Sequence, residues 1–340
     1  MPFLDCSHTI YTITGRYEST QDNSLLFAFP GVTIRTRVKN TAVFVRMKDY
    51  GNNGMNNHFT VLVDGTIHSI IALSNEVTNY LLMPCIDDQW HTIELFKRTE
   101  SEVGECCFYG FSVDDNAQFE TIIDTDPFIE FIGDSITCGY GIEAEDENSL
   151  FDDSTENAWC SFASVAARQL NARYALIAYS GKGIYRNWAS EPFEGTTMSD
   201  IYHRTLADRK DSIWNFSRYK PTMVVINIGS NDFSPPHFVD EALFLKAYAT
   251  MVSFLRQQYG TDCFIFCVTG PILTKHLHEK QIKMIKTIVQ SQVEKGDARI
   301  FSFSMTRQTG NMGFGAQWHP SKTQSEFNGK ELACYINNCI

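Results

Sequence analysis

Four short polar segments in the later part of the chain carry residues that could do chemistry: Gly133-Asp134-Ser135, Ser180-Gly181-Lys182-Gly183, Gly229-Ser230-Asn231-Asp232 and Trp318-His319-Pro320-Ser321. Each of the first three directly follows an apolar run typical of a buried strand, and the fourth precedes a segment with helical character. Loops at the carboxyl ends of parallel strands meet at one edge of a sheet. We therefore expect the four segments to lie together in space.

The residue types in these segments match what acyl transfer requires, namely a nucleophile, a base, and hydrogen-bond donors for a developing oxyanion. Ser135 is the expected nucleophile. His319 is the expected base because it is the only histidine in a late strand-to-helix loop on the same edge. The backbone N–H groups of Ser135 and Gly181 and the side-chain amide of Asn231 are the expected donors of an oxyanion hole. A glycine at 181 lets the backbone approach a substrate oxygen closely.

Each segment taken alone also has a purely structural explanation. Ser135 could cap the helix that follows it, Asn231 could form an Asx turn, and His319 could be a structural histidine. Asp134 and Asp232 are expected to brace their own loops. The occurrence of all four segments in this order, each next to a strand or helix, favours the hydrolytic interpretation.

A change of pattern divides the chain into two parts. Short runs between about 10 and 113 alternate apolar and polar residues, as in Ala42-Val43-Phe44-Val45-Arg46-Met47, which predicts a β-sandwich or jelly roll. Apolar runs then alternate with amphipathic helices, which predicts a parallel sheet between helices. The change falls between 115 and 127, and we expect domains at 1–124 and 125–340.

The elements predicted for the second domain follow from the same patterns. The strand at the serine segment is followed by predicted strands at 173–179, 222–228, 262–268 and 299–303 and helices at 158–170, 240–259, 275–295 and 323–340. Asn157, or Ser154 or Thr155 just before it, is the expected cap of the first of these helices.

Composition limits the class of partner. The 340 residues are 43% hydrophobic and 20% charged, with a net charge of −12. That acidity argues against nucleic acid or an anionic membrane surface as a partner, but it does not repel a neutral sugar. No run is long enough to span a bilayer. A clustered Cys/His site and a Walker-type phosphate loop are both absent from the sequence, so we expect neither a metal nor a cofactor.

The four segments resemble those of the Ser-Gly-Asn-His (SGNH) hydrolase superfamily. Further matches narrow the resemblance to carbohydrate esterase family 2, and they extend over nearly the whole chain. The most specific match is the serine segment with its flanks, from Ile129 to Thr137. The other matches are Thr14-Gly15-Arg16, Phe29-Pro30-Gly31, Val63-Asp64-Gly65, Glu156-Asn157, Ser180-Gly181-Lys182-Gly183-Ile184 with Arg186-Asn187, and Trp318-His319-Pro320-Ser321.

The resemblance implies an N-terminal jelly roll joined to a flavodoxin-like SGNH hydrolase domain. It also implies an acetyl esterase that removes acetyl groups from polysaccharides such as xylan and glucomannan, with Ser135 attacking the acetyl carbonyl and His319 acting as base. An acetylated carbohydrate is then the expected substrate. Two other functions stay open, a sugar-binding relative without turnover and an esterase of a small-molecule or lipid acyl ester.

One position departs from the family pattern. Many relatives have an aspartate two residues before the histidine, where this chain has Gln317. A glutamine side chain can accept the imidazole N–H but cannot offset the charge of an imidazolium, and a backbone carbonyl could orient the ring instead. We therefore expect a Ser-His dyad, with the partner of the ring left open between these two groups.

The tryptophans and the cellular compartment give weaker expectations. Trp188, Trp214 and Trp318 lie near the four segments in sequence and could stack on a sugar ring, although core or rim packing fits them equally well. The ten scattered cysteines suggest free thiols and a cytoplasmic location, and no signal peptide is visible in this chain. The family resemblance suggests instead a secreted or periplasmic protein.

Overall fold

The first part of the chain forms two antiparallel sheets in the computed structural model, which describes residues 1–85, 87–235 and 238–340. The strands are β1 Phe3–Asp5, β2 Tyr11–Thr14, β3 Glu18–Ser19, β4 Leu25–Phe27, β5 Thr33–Lys39, β6 Val43–Gly51, β7 His58–Val63, β8 Thr66–Ala72, β9 Thr78–Met83, β10 His91–Lys97, β11 Gly104–Val113 and β12 Gln118–Glu120. One sheet has the order β3-β4-β11-β6-β9 with β1 beside β11, and the other has the order β12-β5-β10-β7-β8 with β2 beside β5.

The core of this sandwich is built by the period-2 alternation seen in the sequence. Along β6 the side chains of Val43, Val45 and Met47 are fully buried, while the residues between them are partly exposed. These side chains belong to one core cluster with residues of both sheets, such as Phe108 of β11 and Leu95 of β10. The predicted jelly-roll-like architecture is confirmed.

The second part contains a parallel sheet of five strands in the order β14-β13-β15-β16-β17. In order along the chain this is 2-1-3-4-5, the flavodoxin-like arrangement. The elements are β13 Phe128–Gly133, α1 Ser135–Cys138, α2 Phe162–Gln169, β14 Arg173–Ala178, α3 Met198–Ile201, β15 Met223–Asn227, α4 Glu241–Tyr259, β16 Phe264–Thr269, α5 Lys275–Val293, β17 Ile300–Ser304 and α6 Lys322–Asn337.

Helices cover both faces of this sheet, as predicted. Helices α2 and α6 pack against one face, where Phe131 and Phe266 point, and α4 and α5 pack against the other, where Ile132 and Val224 point. Short 3-10 turns lie at Asp153–Thr155, Ala158–Cys160, Asn231–Phe233 and Ala316–Trp318. The described residues contain no helix with the combination of length and apolar character that a membrane crossing needs.

The start of α2 differs from the prediction. The predicted helix at 158–170 is broken, because Ser161 has an extended backbone and α2 begins only at Phe162. The Asn157 side chain does cap, but it accepts the N–H of Trp159 in the short 3-10 turn before the helix. Asn157 therefore shapes the turn that leads into α2 and is not the cap of α2.

The change from sandwich to parallel sheet falls between Glu120, where β12 ends, and Phe128, where β13 begins. Within this connection Asp124 pairs with Arg35 of β5 at 2.6 Å and with Arg173 of β14 at 3.3 Å. We propose that residue 124 ends the first domain, so that its carboxylate links the two domains at the point where they join.

A second link between the domains is a fully buried ion pair. Arg16, which follows β2, places its guanidinium 3.4 Å from the carboxylate of Glu130 in β13, and neither side chain is exposed. Glu130 also accepts hydrogen bonds from the hydroxyls of Tyr202, Tyr219 and Tyr259. The charge of Glu130, which lies five residues before Ser135, is therefore stabilised by a residue of the sandwich.

We expect Glu130→Ala to lower the free energy of unfolding by about 3–5 kcal/mol, because it leaves the buried charge of Arg16 without its opposite charge. Urea denaturation followed by fluorescence measures this loss. The exposed pair of Lys330 and Glu326 at 2.6 Å provides the control, since Glu326→Ala should cost little. Equal losses in the two variants would contradict a stabilising role for the buried pair.

Candidate active site

Ser135 lies where a buried strand turns into a helix. Strand β13 ends at Gly133, Asp134 is the N-cap of α1, and Ser135 is the first residue of that helix. A side chain at Gly133 would place its Cβ 2.0 Å from the hydroxyl oxygen of Thr137, so the turn can be this tight only with glycine. The Asp134 carboxylate accepts the N–H of Ile136 at 3.1 Å, which braces the loop as expected.

His319 lies against Ser135 although 184 residues separate them in sequence. The Nε2 atom of the imidazole is 2.8 Å from the Ser135 Oγ, and the Nδ1 atom is 3.0 Å from the backbone carbonyl of Ala316. Because a carbonyl only accepts hydrogen bonds, the proton of the neutral ring belongs on Nδ1. The lone pair of Nε2 is then free to accept the proton of the Ser135 hydroxyl.

The ring is therefore held by a backbone carbonyl and not by the side chain of Gln317. Gln317 is exposed, and its Oε1 accepts a hydrogen bond from the hydroxyl of Tyr140. Gln317 and Trp318 both have positive φ angles, 48° and 65°, in a tight turn that brings the Ala316 carbonyl back beneath the imidazole. Of the two ring partners left open by the sequence, the structure contains the backbone one.

Burial sets the charge state of His319. The Tyr140 ring lies over the imidazole with 4.3 Å between the ring centroids, and Phe151 stacks on Tyr140 at 4.5 Å. Burial lowers the pKa of His319 to about 4, against a smaller opposite effect of the carbonyl of Ala316. The imidazole is therefore neutral, and able to act as a base, throughout the mildly acidic and neutral range.

We expect kcat/KM to rise with pH, with its midpoint at about pH 4, because activity needs the neutral imidazole and the pKa of His319 is about 4. In Gln317→Ala the same rise of kcat/KM with pH should appear, and kcat should stay within about fivefold of the wild-type value, because the Ala316 carbonyl still holds the ring. Tyr140→Phe is the matched control, because it removes the hydroxyl that donates to the Gln317 side chain. A rise of kcat/KM centred near pH 6.5 in the wild type, or a large loss of kcat in Gln317→Ala, would contradict this arrangement.

Three donors were predicted for an oxyanion hole, and two of them are backbone groups. The N–H groups of Ser135 and Gly181 have no acceptor among the described residues, so both are free for a ligand. Gly181 has a φ of 72°, and the space where its side chain would stand is open. Such a backbone favours glycine and leaves room for a substrate oxygen beside the N–H.

The third predicted donor, Asn231, lies in the 3-10 turn after β15. Its side-chain Nδ2 donates one hydrogen to the carbonyl of Lys182 at 2.9 Å, which leaves a second hydrogen for a ligand. Asp232 does not brace its own loop as predicted. Its carboxylate accepts the N–H groups of Ile184 and Tyr185, both at 2.9 Å, and so fixes the loop that carries Gly181.

The three tryptophans separate into two groups. Trp188 and Trp318 are 65% and 56% exposed. The backbone N–H of Trp188 donates to the backbone carbonyl of Gly181 at 2.8 Å. Trp214 is only 3% exposed and lies 5.0 Å from the guanidinium of Arg16. It lines a cavity at the opposite edge of the sheet, so of its two possible roles the structure favours core packing over contact with substrate.

Sequence reasoning missed two groups that shape this site. The Ala316 carbonyl orients His319, and no residue type announces a backbone carbonyl. Glu100 of the sandwich contacts Ser180, directly before Gly181. Its only signal in the sequence is a segment with three charged residues, Lys97-Arg98-Thr99-Glu100, which is equally typical of an exposed loop.

Comparison with known proteins agrees with this geometry. Residues 13–121 match the family model "Carbohydrate esterase 2 N-terminal", and residues 131–323 match "GDSL-like Lipase/Acylhydrolase family". The chain is 32% identical to the cellulase/esterase CelE of Acetivibrio thermocellus over 95% of its own length, but it spans only 39% of that relative. It is 26% identical to an acetylxylan esterase / glucomannan deacetylase of Cellvibrio japonicus, covering 97% of this chain and 90% of that one.

A solved structure gives the same result. A family two carbohydrate esterase from Clostridium thermocellum, in complex with cellohexaose, superposes with a TM-score of 0.90. Its sequence is 32% identical to this chain, and the match covers 96% of this chain and 98% of that one. The resemblance noted in the sequence is thus confirmed, and the chain belongs to family 2 of the carbohydrate esterases, with a GDSL-like hydrolase domain.

Proposed function

We propose that this protein is a carbohydrate O-deacetylase that releases acetate from acetylated hemicellulose-type polysaccharides or oligosaccharides. The observation that carries the proposal is the hydrogen bond of 2.8 Å between His319 Nε2 and Ser135 Oγ, with Nδ1 held by a carbonyl. The names of the relatives, which include acetylxylan esterase and glucomannan deacetylase, supply the substrate class.

In the first half of the reaction, Ser135 Oγ attacks the acetyl carbonyl carbon while its proton passes to His319 Nε2. The oxyanion that forms accepts hydrogen bonds from the N–H groups of Ser135 and Gly181 and from the amide of Asn231. Collapse of this intermediate breaks the bond between the acetyl carbon and the sugar oxygen and forms an acetyl-enzyme, and His319 gives the proton to that oxygen, which leaves as the sugar hydroxyl.

The second half repeats these steps with water. His319 takes a proton from water, which attacks the acetyl group on Ser135, and acetate leaves as Ser135 regains its proton. The imidazolium formed in each half faces the neutral backbone carbonyl of Ala316 at its Nδ1 atom. The low pKa of His319, which results from burial, makes the protonated ring a strong acid toward the leaving group.

The exposed tryptophans support a sugar as the leaving group. Trp188 is bonded through its backbone to the loop of Gly181, and Trp318 directly precedes His319. Both are exposed aromatic residues whose backbones adjoin proposed functional residues. Aromatic faces of this kind suit the apolar faces of pyranose rings, whereas an acetyl group needs only a small space beside the nucleophile.

Acetate release tests the proposal against its two alternatives. We expect the wild type to release acetate from acetylated xylan or glucomannan and to hydrolyse aryl acetates much faster than aryl butyrates or longer esters. Equal rates on long acyl chains would favour an esterase of lipid or small-molecule esters. Binding of the polysaccharide with no acetate release from any ester would favour a non-catalytic sugar-binding protein.

A further inference from the structure

The sandwich domain inserts a charged loop into the hydrolase domain. The residues from Lys97 to Ser101, at the end of β10 and the start of the loop to β11, are all at least 98% buried. The Arg98 carbonyl accepts the N–H of Ala158 at 3.0 Å, so the loop is bonded to the turn before α2. Loops between strands are normally solvated, and a buried segment with three charged side chains needs partners for these charges.

Glu100 finds its partners in the loop that carries a proposed oxyanion donor. Its Oε2 accepts the backbone N–H of Ser180 at 2.6 Å, and its Oε1 accepts the Ser180 hydroxyl. Ser180 directly precedes Gly181, whose N–H has no acceptor among the described residues. Both donors of Ser180 are thus held by one carboxylate, and hydrogen bonds to an ionised group are roughly twice as strong as neutral ones.

The backbone of Glu100 is also bonded to the hydrolase domain. The backbone N–H of Glu100 donates to the carboxyl group of Glu156 at 3.0 Å, and both side chains are fully buried. Burial raises the pKa of Glu156 well above its ordinary value and raises that of Glu100 less, to about 6, since the Ser180 donors oppose the shift. Glu156 therefore takes the proton of this pair and Glu100 carries the charge.

Lys97 supplies the nearby positive charge. Its fully buried ammonium donates to the carbonyls of Thr99 and Glu100, at 2.6 and 3.2 Å. These bonds fix the backbone on both sides of the Glu100 Cα atom. The backbone that carries the Glu100 side chain therefore belongs to the sandwich, while the groups that its carboxylate holds belong to the hydrolase domain.

We propose that Glu100 is a positioning residue of the esterase, which acts through Ser180 to hold the Gly181 N–H where the oxyanion forms. This inference rests on the esterase function proposed above. It gives the sandwich domain a part in the chemistry besides any part in holding polymer. A donor displaced by about 1 Å can cost about 100-fold in rate, so a carboxylate that fixes the preceding residue matters.

The test is Glu100→Gln, which keeps the shape of the side chain but removes its charge and one acceptor. On an aryl acetate we expect kcat to fall about 10- to 100-fold, with KM changed by less than about threefold, because the donor acts mainly in the transition state. Ser180→Ala removes the hydroxyl bond and keeps the N–H bond, and it should give a smaller fall in kcat. If Glu100→Gln does not fold, Ser180→Ala still tests the inference.

Glu105→Gln is the matched control. Glu105 lies in β11 and forms another interdomain ion pair, with Arg209 at 2.8 Å, but it does not touch the Gly181 loop. We expect wild-type kcat in this variant. The inference is overturned if Glu100→Gln and Ser180→Ala retain wild-type kcat, if their loss is confined to KM, or if Glu105→Gln loses as much. A wild type inactive on every acetyl ester would instead refute the proposed function.

Discussion

Replacing Ser135 by alanine is expected to lower kcat by about three orders of magnitude or more, the scale at which members of such catalytic sets act. Ser135 is the group that the His319 Nε2 contacts at 2.8 Å, and no acetyl-enzyme can form without its oxygen. Hydrolysis of an aryl acetate, with substrate varied to separate kcat from KM, measures the effect. Thermal unfolding should change little, because alanine fits the space of serine.

Ser164→Ala controls for the loss of a buried hydroxyl. Ser164 is a fully buried serine of α2 whose hydroxyl donates to the carbonyl of Ala158 at 2.6 Å. Its replacement should lower stability by about 1 kcal/mol and leave kcat unchanged. Turnover near the wild-type value in a pure preparation of Ser135→Ala would exclude Ser135 as the nucleophile.

The second large effect is expected for Asn231→Ala. The loss of one side-chain donor from an oxyanion hole costs about 100- to 1,000-fold in kcat. Because the Asn231 amide also bonds the carbonyl of Lys182, the substitution loosens the neighbouring loop as well. We expect the loss to appear in kcat with little change in KM, measured on the same aryl acetate.

Asn231→Asp separates the two roles of that side chain. It keeps the size of asparagine but replaces the donor by a negative charge facing the developing oxyanion. We expect it to be at least as inactive as Asn231→Ala. If either variant changes only KM, Asn231 contributes to substrate binding and is not a transition-state donor.

The parts of the site that the sequence could predict are those tied to a regular pattern. Apolar runs that stop at Gly133 and Gly229 mark the carboxyl ends of β13 and β15, the two strands on either side of the switch in strand order. Ligands of open α/β sheets bind at such a switch point. Ser135 and Asn231 could therefore be assigned to one crevice without any knowledge of contacts.

The parts that could not be predicted depend on contacts between distant segments or on backbone atoms. Gln317 was a reasonable partner for the imidazole by position, yet its side chain turns to Tyr140 and the carbonyl of Ala316 takes its place. Trp214 is near the third segment in sequence, but the chain between β14 and β15 carries it to the opposite edge of the sheet.

Charged residues inside the fold were the other source of error. Glu130 interrupts an apolar run, which is a signal of a buried partner, but nothing local identifies Arg16 as that partner. Glu100 gives a still weaker signal, since the groups it contacts, Ser180 and Glu156, belong to the hydrolase domain. Both contacts join the two domains, and a pattern confined to one segment does not contain them.

The most direct test of the Ser135-His319 mechanism is the reaction of the protein with diethyl 4-nitrophenyl phosphate, which phosphorylates activated serines. We predict that esterase activity disappears in step with the attachment of one diethylphosphoryl group, located on Ser135 by peptide mass spectrometry. The rate of labelling should rise with pH, with its midpoint at about pH 4, the pKa of His319. Attachment to another residue, or full activity after Ser135 is labelled, would contradict the account.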